Sequence, residues 1–246
     1  LSGATTGTIP STLNGAVFNK GVTNITVTVS DGATPANTAQ CSFNVTITDH
    51  EDPSISCGSN QSANTANGLC TADVMVADVT FGDNCTGATL SWEMTGATEA
   101  TGNGQVGTHT FNKGVTTITY TVTDAANRTN TCAKTITVSD VENPTISCGS
   151  NQSSNTASGL CTASVAVADV TFDDNCPGES LSWVMTGATE ASGNGQVGTY
   201  TFNKGVTTIT YTVTDASTNT NTCFKTVTVT DNEAPSVSCP ANIVVP

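Results

Sequence analysis

The residues of this sequence with the clearest capacity for chemistry are its ten cysteines. No Cys-x-x-Cys pair occurs and the only histidines are His50 and His109, so the usual spacing of a zinc site is missing. Cysteines at this density form a disulfide framework in an oxidising compartment. We therefore expect disulfide bonds and an extracellular location, on the cell surface or in a secreted filament.

Carboxylates are the second chemically active group. The sequence has 20 acidic against 6 basic residues, a formal net charge of -14. Nucleic acids and anionic membrane surfaces attract positive charge, so neither is an expected partner. Apolar runs are only a few residues long, far below the roughly 20 that cross a bilayer, so we expect no membrane insertion in this segment. Such an acidic chain suits divalent cations.

The cysteines repeat at long range. Each member of the first set below recurs 91 positions later. The first set is Cys57, Cys70, Cys85 and Cys132, and the second is Cys148, Cys161, Cys176 and Cys223. Short solenoid units have roughly 20–50 residues, whereas this period is long enough for a domain with its own core. The sequence therefore predicts separate domains arranged as beads on a string.

The flanking sequence matches only parts of this repeat. We predict four segments: 1–50 as the C-terminal half of a repeat, 51–141 and 142–232 as complete repeats, and 233–246 as the start of a further repeat. One interpretation is a window from a longer array. The other is a protomer whose two incomplete ends complement each other between chains.

Within each repeat the hydrophobic period is two. In the run from Val115 to Thr123, Ile118, Tyr120 and Val122 fall on one face and threonines on the other. This alternation predicts half-buried β-strands, and no segment shows a helical stripe. Several short strands in about 90 residues indicate a β-sandwich. The predicted fold class is all-β, with tandem sandwich repeats of period 91.

Catalysis needs groups that the two repeats do not share. His109 aligns with Tyr200 and Asp173 aligns with Gly82, so neither an imidazole base nor a paired carboxylate recurs. No serine or cysteine has a recurring histidine nearby to activate it. We therefore predict no catalytic residues, no organic cofactor and no enzymatic activity.

The ordered positions of each repeat resemble the HYR (hyalin repeat) domain. They are the linker Asp231–Pro235, the following Ser238–Asn242, the pairs Asp83-Asn84 and Asp174-Asn175, the FNKGVTTITYTVTD strands with Asp124 and Asp215, and the final Cys-x-x-x-V-x-V strand. The resemblance implies an immunoglobulin-like fold and a cell-surface or matrix role in adhesion. The four-cysteine form resembles tandem repeats of bacterial cell-surface adhesins. The family's phenylalanine two residues after the last cysteine is matched by Phe43, whereas Lys134 and Lys225 occupy this position in the complete repeats.

Four cysteines allow three connectivities, and the sequence alone does not choose among them. The resemblance implies Cys57–Cys132 and Cys148–Cys223, because family members with two cysteines keep these positions. The pairs that then remain within each repeat are Cys70–Cys85 and Cys161–Cys176. Cys41 and Cys239 would have partners in repeat halves that this sequence does not contain.

Carboxylates and amides concentrate near the repeat linkers. The expected ligand set is Asp83, Asn84, Asp124, Asp140, Glu142, Asp173, Asp174, Asn175 and Asp215. Ca²⁺ takes 6–8 oxygen ligands, so these residues are candidates for calcium at the repeat junctions. The alternative is that Asp and Asn occupy turns, where their side chains satisfy backbone N–H groups.

Two functions from different classes fit these features. The first is an extended, disulfide-stapled stalk or filament, whose partners are neighbouring repeats of the same chain and other copies in a filament. The second is an adhesion module with a carbohydrate or protein site, for example for surface glycans, on each repeat. Near-identity between repeats favours the first, and aromatic content of 5% gives little support to the second.

Overall fold

A computed structural model describes residues 1–8 and 12–242. Parts of the predicted half repeat and fourth repeat fall on residues 9–11 and 243–246, outside the described residues. None of the described segments is a helix with the length and apolarity that a membrane crossing requires. The first three strands are β1 (Ser2–Gly3), β2 (Gly21–Ser30) and β3 (Thr38–Ile47), which form one antiparallel sheet in the order β1-β2-β3.

The first complete repeat consists of nine strands. They are β4 (Ser54–Ser56), β5 (Gln61–Asn64), β6 (Thr71–Met75), β7 (Thr80–Gly82), β8 (Thr89–Gly96), β9 (Ala100–Asn103), β10 (Thr108–Asn112), β11 (Gly114–Thr123) and β12 (Thr129–Ser139). One five-stranded sheet has the order β5-β12-β11-β8-β9, and two strand pairs, β10-β6 and β4-β7, complete the repeat.

The second repeat has the same strands in the same order. They are β13 (Thr145–Ser147), β14 (Gln152–Asn155), β15 (Thr162–Ala166), β16 (Thr171–Asp173), β17 (Ser180–Gly187), β18 (Ala191–Asn194), β19 (Thr199–Asn203), β20 (Gly205–Thr214) and β21 (Thr220–Thr230). The five-stranded sheet is β14-β21-β20-β17-β18, with the pairs β15-β19 and β13-β16. Here β14 runs parallel to β21, whereas the other pairings are antiparallel. The predicted all-β class with tandem sandwich repeats is confirmed.

Contacts divide the chain into two compact units whose boundary crosses the first repeat. The first unit comprises residues 1–61, 74–109 and 115–137, and the second comprises 62–73, 110–114 and everything from 138 onward. The turn ahead of β6, which carries Cys70, therefore belongs to the same unit as the second repeat. This assignment decides which side chains Cys70 meets.

The predicted strand alternation places the core. In β11, Ile118, Tyr120 and Val122 are fully buried, while Thr119 on the opposite face is exposed. The equivalent β20 residues bury their side chains against Phe202, Trp183 and Val227. Threonine fits these strands because its β-branched side chain packs well on a pleated surface. Each repeat thus has its own small apolar core.

Lysine replaces the family's phenylalanine without leaving the core. Lys134 and Lys225 are almost completely buried, and their ammonium groups donate to the carbonyls of Ala77 and Ala168. Lys225 Nζ also lies 5.6 Å from the centroid of the Tyr211 ring, within cation–π range. Burial lowers the pKa of Lys225. The lysine stem supplies apolar volume, and the carbonyl and the ring satisfy its charge.

In each repeat a tryptophan packs against a glycine of the neighbouring strand. Trp92 on β8 opposes Gly102 on β9, and Trp183 on β17 opposes Gly193 on β18. A Cβ at residue 102 would lie 2.3 Å from Cζ2 of Trp92, well inside van der Waals contact. The indole therefore lies flat over the neighbouring strand only because that strand carries a glycine.

We expect Gly102→Ala to lower the free energy of unfolding by roughly 1–3 kcal/mol, because the methyl group overpacks against the indole. The matched control is Gly82→Ala, where an added Cβ meets nothing within 4 Å. That control should change stability by less than about 0.5 kcal/mol. Urea unfolding followed by tryptophan fluorescence measures both free energies of unfolding. Equal effects of the two substitutions would contradict this packing of Trp92 on Gly102.

Candidate functional site at the repeat junction

Two disulfides close the sandwiches. Cys57 bonds to Cys132 and Cys148 bonds to Cys223, each across 75 positions with a Cα–Cα distance of 5.7 Å. This distance lies in the ordinary range for disulfides. These are the pairs that the family resemblance implies, and each joins the segment after the first strand of a repeat to its last strand.

The third disulfide corrects the sequence prediction. Cys70 bonds to Cys176 across 106 positions, with a Cα–Cα distance of 4.8 Å, so the predicted pairs Cys70–Cys85 and Cys161–Cys176 are wrong. Cys85 and Cys161 carry free thiols. The physical reason is the fold: the turn that carries Cys70 lies in the same compact unit as the second repeat, whereas Cys85 lies in the other unit. The bond therefore joins one sequence repeat to the next.

Backbone hydrogen bonds hold the turn that presents Cys70. The N–H of Ala66 donates to the Thr71 carbonyl at 2.7 Å, and the N–H of Lys113 donates to the Cys70 carbonyl at 3.0 Å. Gly68 adopts a positive φ of 71° at the tip and donates its N–H to the Glu142 carboxylate at 2.8 Å. A linker glutamate thus binds the turn of the preceding repeat.

The loop that presents Cys176 is fixed by its own Asp-Asn pair. Asp174 Oδ2 accepts the Cys176 N–H at 3.0 Å, an Asx turn of the kind that aspartate favours. Asn175 Nδ2 donates to the Leu69 carbonyl at 2.9 Å. Leu69 directly precedes Cys70, so a hydrogen bond lies beside the disulfide and aligns the same two segments.

Asp140 is the buried centre of the junction. Its side chain is 0% exposed, and Oδ2 lies 3.5 Å from Nζ of Lys113. The Ser217 hydroxyl donates to Oδ2 at 3.3 Å, and the Glu142 N–H donates to Oδ1 at 3.2 Å. A buried carboxylate needs such partners, because removing its charge from water is costly.

Two further carboxylates surround Asp140. Asn219 Nδ2 donates to Asp215 Oδ2 at 2.8 Å and to the Asp140 carbonyl at 3.3 Å, which links the two acids. Burial raises the pKa of Asp174, and the nearby charges of Asp140 and Asp215 raise it further. Three acids therefore share this site with the ammonium group of Lys113.

Several buried oxygens near these acids lack a hydrogen-bond donor. They are Asp174 Oδ1 and Asn175 Oδ1 at the second junction, between the two complete repeats, and Asp83 Oδ1 and Asp124 Oδ2 at the first junction, ahead of the first complete repeat. Asp124 is only 4% exposed, so bulk solvent has little access to its carboxylate. The carboxylates of Asp140 and Asp174, and separately those of Asp49 and Asp83, lie within 4.8 Å of one another. Such oxygens have the chemistry of hard-cation ligands.

Not every predicted ligand joins these clusters. Glu142 is bound to Gly68, Asn84 donates to Glu51 at 3.0 Å, and Asp173 is an exposed residue of β16. The expected ligand set did not include Asp49, Lys113, Ser217 or Asn219. Asp49 and Asp140 begin equivalent linkers, so the period of 91 was a signal for Asp49. Lys113 recurs as Lys204 in the FNKG motif, which was a signal for this lysine, but the fold decides that its partner is Asp140.

The fold and this junction define a class: disulfide-stapled, immunoglobulin-like tandem repeats of extracellular proteins. The HYR domain model matches residues 48–138 and 139–229, so the chain belongs to the HYR domain family. Tandem HYR domains with three disulfides fit an extracellular, adhesion-type repeat protein. A comparison with curated proteins finds no match.

Solved structures to which this chain is similar include cadherin and fibronectin(III)-like domains. PcdhgB3 EC1-4 is 17% identical, with a TM-score of 0.36 and coverage of 86% of this chain. The chain spans 58% of the length of that structure. Drosophila N-cadherin EC1-3 is 12% identical, with a TM-score of 0.31 over 85% of this chain and 77% of that chain. The CbhA fibronectin(III)-like modules of Clostridium thermocellum are 11% identical, with a TM-score of 0.30 over 76% of this chain and 100% of theirs.

The raised pKa of Asp174 predicts a pH dependence. A raised folded-state pKa stabilises the protein below the ordinary value of 3.8, and this contribution is lost as pH rises through the folded-state pKa. Asp174→Asn keeps an acceptor for the Cys176 N–H but removes the charge. We expect the gain in Tm from this substitution, in EDTA, to be larger at pH 7 than at pH 4 by at least about 2 °C.

The control for this measurement is Asp173→Asn, which changes an exposed carboxylate one residue away. Its effect on Tm should be nearly the same at both pH values. A pH-independent effect of Asp174→Asn would contradict the proposed burial of its charge.

Proposed function

We propose that this chain is a structural, non-enzymatic segment of an extracellular stalk or filament, in which disulfides keep consecutive repeats covalently joined. The main observation that supports this proposal is the Cys70–Cys176 bond between consecutive repeats. A stalk needs its modules to stay joined under tension and under proteolysis. Noncovalent contacts at a domain junction yield to force, whereas a disulfide does not.

The three disulfides form a connected covalent ring. With only Cys57–Cys132 and Cys148–Cys223, residues 133–147 would be the single covalent path between the repeats. Cys70–Cys176 adds a second path, through residues 58–69 and 177–222. No single backbone cut between Cys57 and Cys223 then separates the chain, and most of each repeat lies in loops that tension along the chain bypasses.

The ring predicts resistance to a cut in the linker. A recognition sequence for a site-specific protease is inserted between Asn143 and Pro144, and free thiols are blocked after folding. Cleavage should leave one covalent piece on a non-reducing denaturing gel, and reduction should release two fragments. The same cut in a Cys70→Ser, Cys176→Ser variant should release two fragments without reductant. Separation of the otherwise unchanged protein before reduction would overturn the proposal.

We further propose that the junction acids hold Ca²⁺. Asp140, Asp174, Asn175 and Asp215 would hold it in the second junction, and Asp49, Asp83 and Asp124 in the first. The unpartnered buried oxygens support this fit, because each is an acceptor without a donor. Bound calcium would supply positive charge that Lys113 alone does not provide to three carboxylates. Cys176 takes no part as a ligand, since its sulfur is in a disulfide.

Calcium should then raise thermal stability. Extracellular calcium sites often have a Kd of about 10⁻⁴–10⁻³ M, so 10 mM Ca²⁺ should stabilise the protein by about 1.5–3 kcal/mol. The rise in Tm should shrink in Asp174→Asn plus Asp83→Asn and stay unchanged in Asp173→Asn, and EDTA should reverse it. If Mg²⁺ at equal concentration gives the same rise, or Ca²⁺ gives none, the calcium proposal is wrong while the disulfide ring stands.

A further inference from the structure

Two free thiols lie at positions equivalent to the two cysteines of the inter-repeat disulfide, displaced by one repeat. Cys161 stands 91 positions after Cys70, and Cys85 stands 91 positions before Cys176. Cys161 is exposed and Cys85 is partly exposed, and neither is bonded. Their neighbours in sequence are nearly the same as those of the bonded pair, which raises the question of what they bind.

We propose that Cys85 and Cys161 each form a disulfide with a cysteine of another repeat of this same type, so that inter-repeat disulfides recur as a ladder. In this ladder, the turn cysteine of one repeat bonds the loop cysteine of the next. Cys161 lies in a turn like that of Cys70 and would bond a cysteine in a loop like that of Cys176. Cys85 lies in a loop like that of Cys176 and would bond a cysteine in a turn like that of Cys70. This proposal deepens the proposed function and rests on the Cys70–Cys176 bond.

The turn of Cys161 copies that of Cys70 hydrogen bond for hydrogen bond. The N–H of Lys204 donates to the Cys161 carbonyl at 2.9 Å, as that of Lys113 does to Cys70 at 3.0 Å. The Ala157 N–H donates to the Thr162 carbonyl at 2.8 Å. Glu233 accepts from the Gly159 N–H, matching Glu142 and Gly68. The turn is therefore already formed while its thiol is free.

The loop of Cys85 copies that of Cys176. Asp83 Oδ2 accepts the Cys85 N–H at 3.0 Å, the same distance as in the Asp174–Cys176 turn. The Asp49 carboxylate groups with Asp83 and Cys85 as Asp140 groups with Asp174 and Cys176. Asn84 is bonded to Glu51, whereas its equivalent Asn175 binds the turn carbonyl of Leu69. A Cys70-type turn would supply that carbonyl to Asn84.

Bond formation is ordinary thiol–disulfide exchange. The two thiols lose two protons and two electrons as the S–S bond forms, and an external disulfide such as oxidised glutathione takes them up as two thiols. Hydrogen bonding to the Asp49 carboxylate raises the pKa of Cys85, followed by burial.

The direct test adds a repeat to the full chain. A copy of residues 51–141 is inserted between residues 232 and 233, which preserves the register of the linkers, and the original Cys85 is changed to Ser. The protein is folded with a glutathione redox buffer, and non-reduced peptides are mapped by mass spectrometry. We expect Cys161 to be linked to the loop cysteine of the inserted copy. A second version, whose inserted copy carries Ser at that position, should leave Cys161 open to alkylation.

The same map reports folding and separates the two proposals. If Cys57–Cys132, Cys148–Cys223 and Cys70–Cys176 form while Cys161 remains a thiol, the ladder is wrong and the junction disulfide stands. If Cys70–Cys176 is absent, the proposed function fails as well. A bond between Cys161 and the turn cysteine of the copy would also overturn the ladder.

A second test uses the chain as it exists. A peptide of residues 62–73, activated at Cys70 as a mixed disulfide with a small aromatic thiol, is offered to the protein. The Cys85 thiol displaces the aromatic thiol, so the release of that thiol is measured by absorbance and the labelled residue by mass spectrometry. We expect labelling of Cys85 at least about tenfold faster than with a scrambled peptide. Labelling that favours the exposed Cys41, Cys161 and Cys239 with both peptides would overturn the proposal.

Discussion

The bond between the sulfur atoms of Cys70 and Cys176 is the constraint on which the junction depends. It holds the turn before β6 within bonding distance of the loop before β17, and the direct contacts between these two segments accompany that placement. Asn175 reaches the Leu69 carbonyl and Glu142 reaches the Gly68 N–H in the same region. In the chain-entropy account, a cross-link over 106 positions removes roughly 4–5 kcal/mol of denatured-state freedom. The noncovalent contacts of the junction would rarely contribute as much to the free energy of unfolding.

Buried charge gives the junction selectivity that a disulfide alone lacks. Asp140 has no exposed side-chain surface, so its carboxylate must find Lys113, Ser217 and the linker N–H groups in the correct register. A buried ion pair often adds little net stability, but breaking one side of it is costly. The acids therefore penalise misaligned junctions, and the disulfide then fixes the aligned one. Residual negative charge at Asp174 is what a divalent cation would neutralise.

Local features of the fold were readable from the sequence. The alternation in Val115–Thr123 predicted the buried face of β11, because period-two patterning is a property of the strand itself. The acids at the linkers were also visible, since they recur with the repeat. The glycine opposite each tryptophan was not noticed, although Gly102 and Gly193 recur as faithfully as the cysteines.

The junction disulfide could not be read from the sequence for a physical reason. In a periodic chain, Cys70 has a Cys176-type cysteine both in its own repeat and in the next, at Cys85 and Cys176. Spacing alone does not distinguish the two partners. Tertiary placement does, because residues 62–73 lie in the same compact unit as the second repeat. Lys113 was missed for the same reason, as its partner Asp140 is 27 positions away and meets it only through the fold.

The most direct measurement is a disulfide map of this 246-residue chain, expressed without further repeats and with its free thiols blocked at low pH to prevent exchange. Proteolysis and mass spectrometry without reductant should yield a peptide joining Cys70 to Cys176, with Cys85 and Cys161 both carrying the blocking group. Peptides joining Cys70 to Cys85 and Cys161 to Cys176 would contradict the account, because each repeat would then be closed on itself and no disulfide would join one repeat to the next.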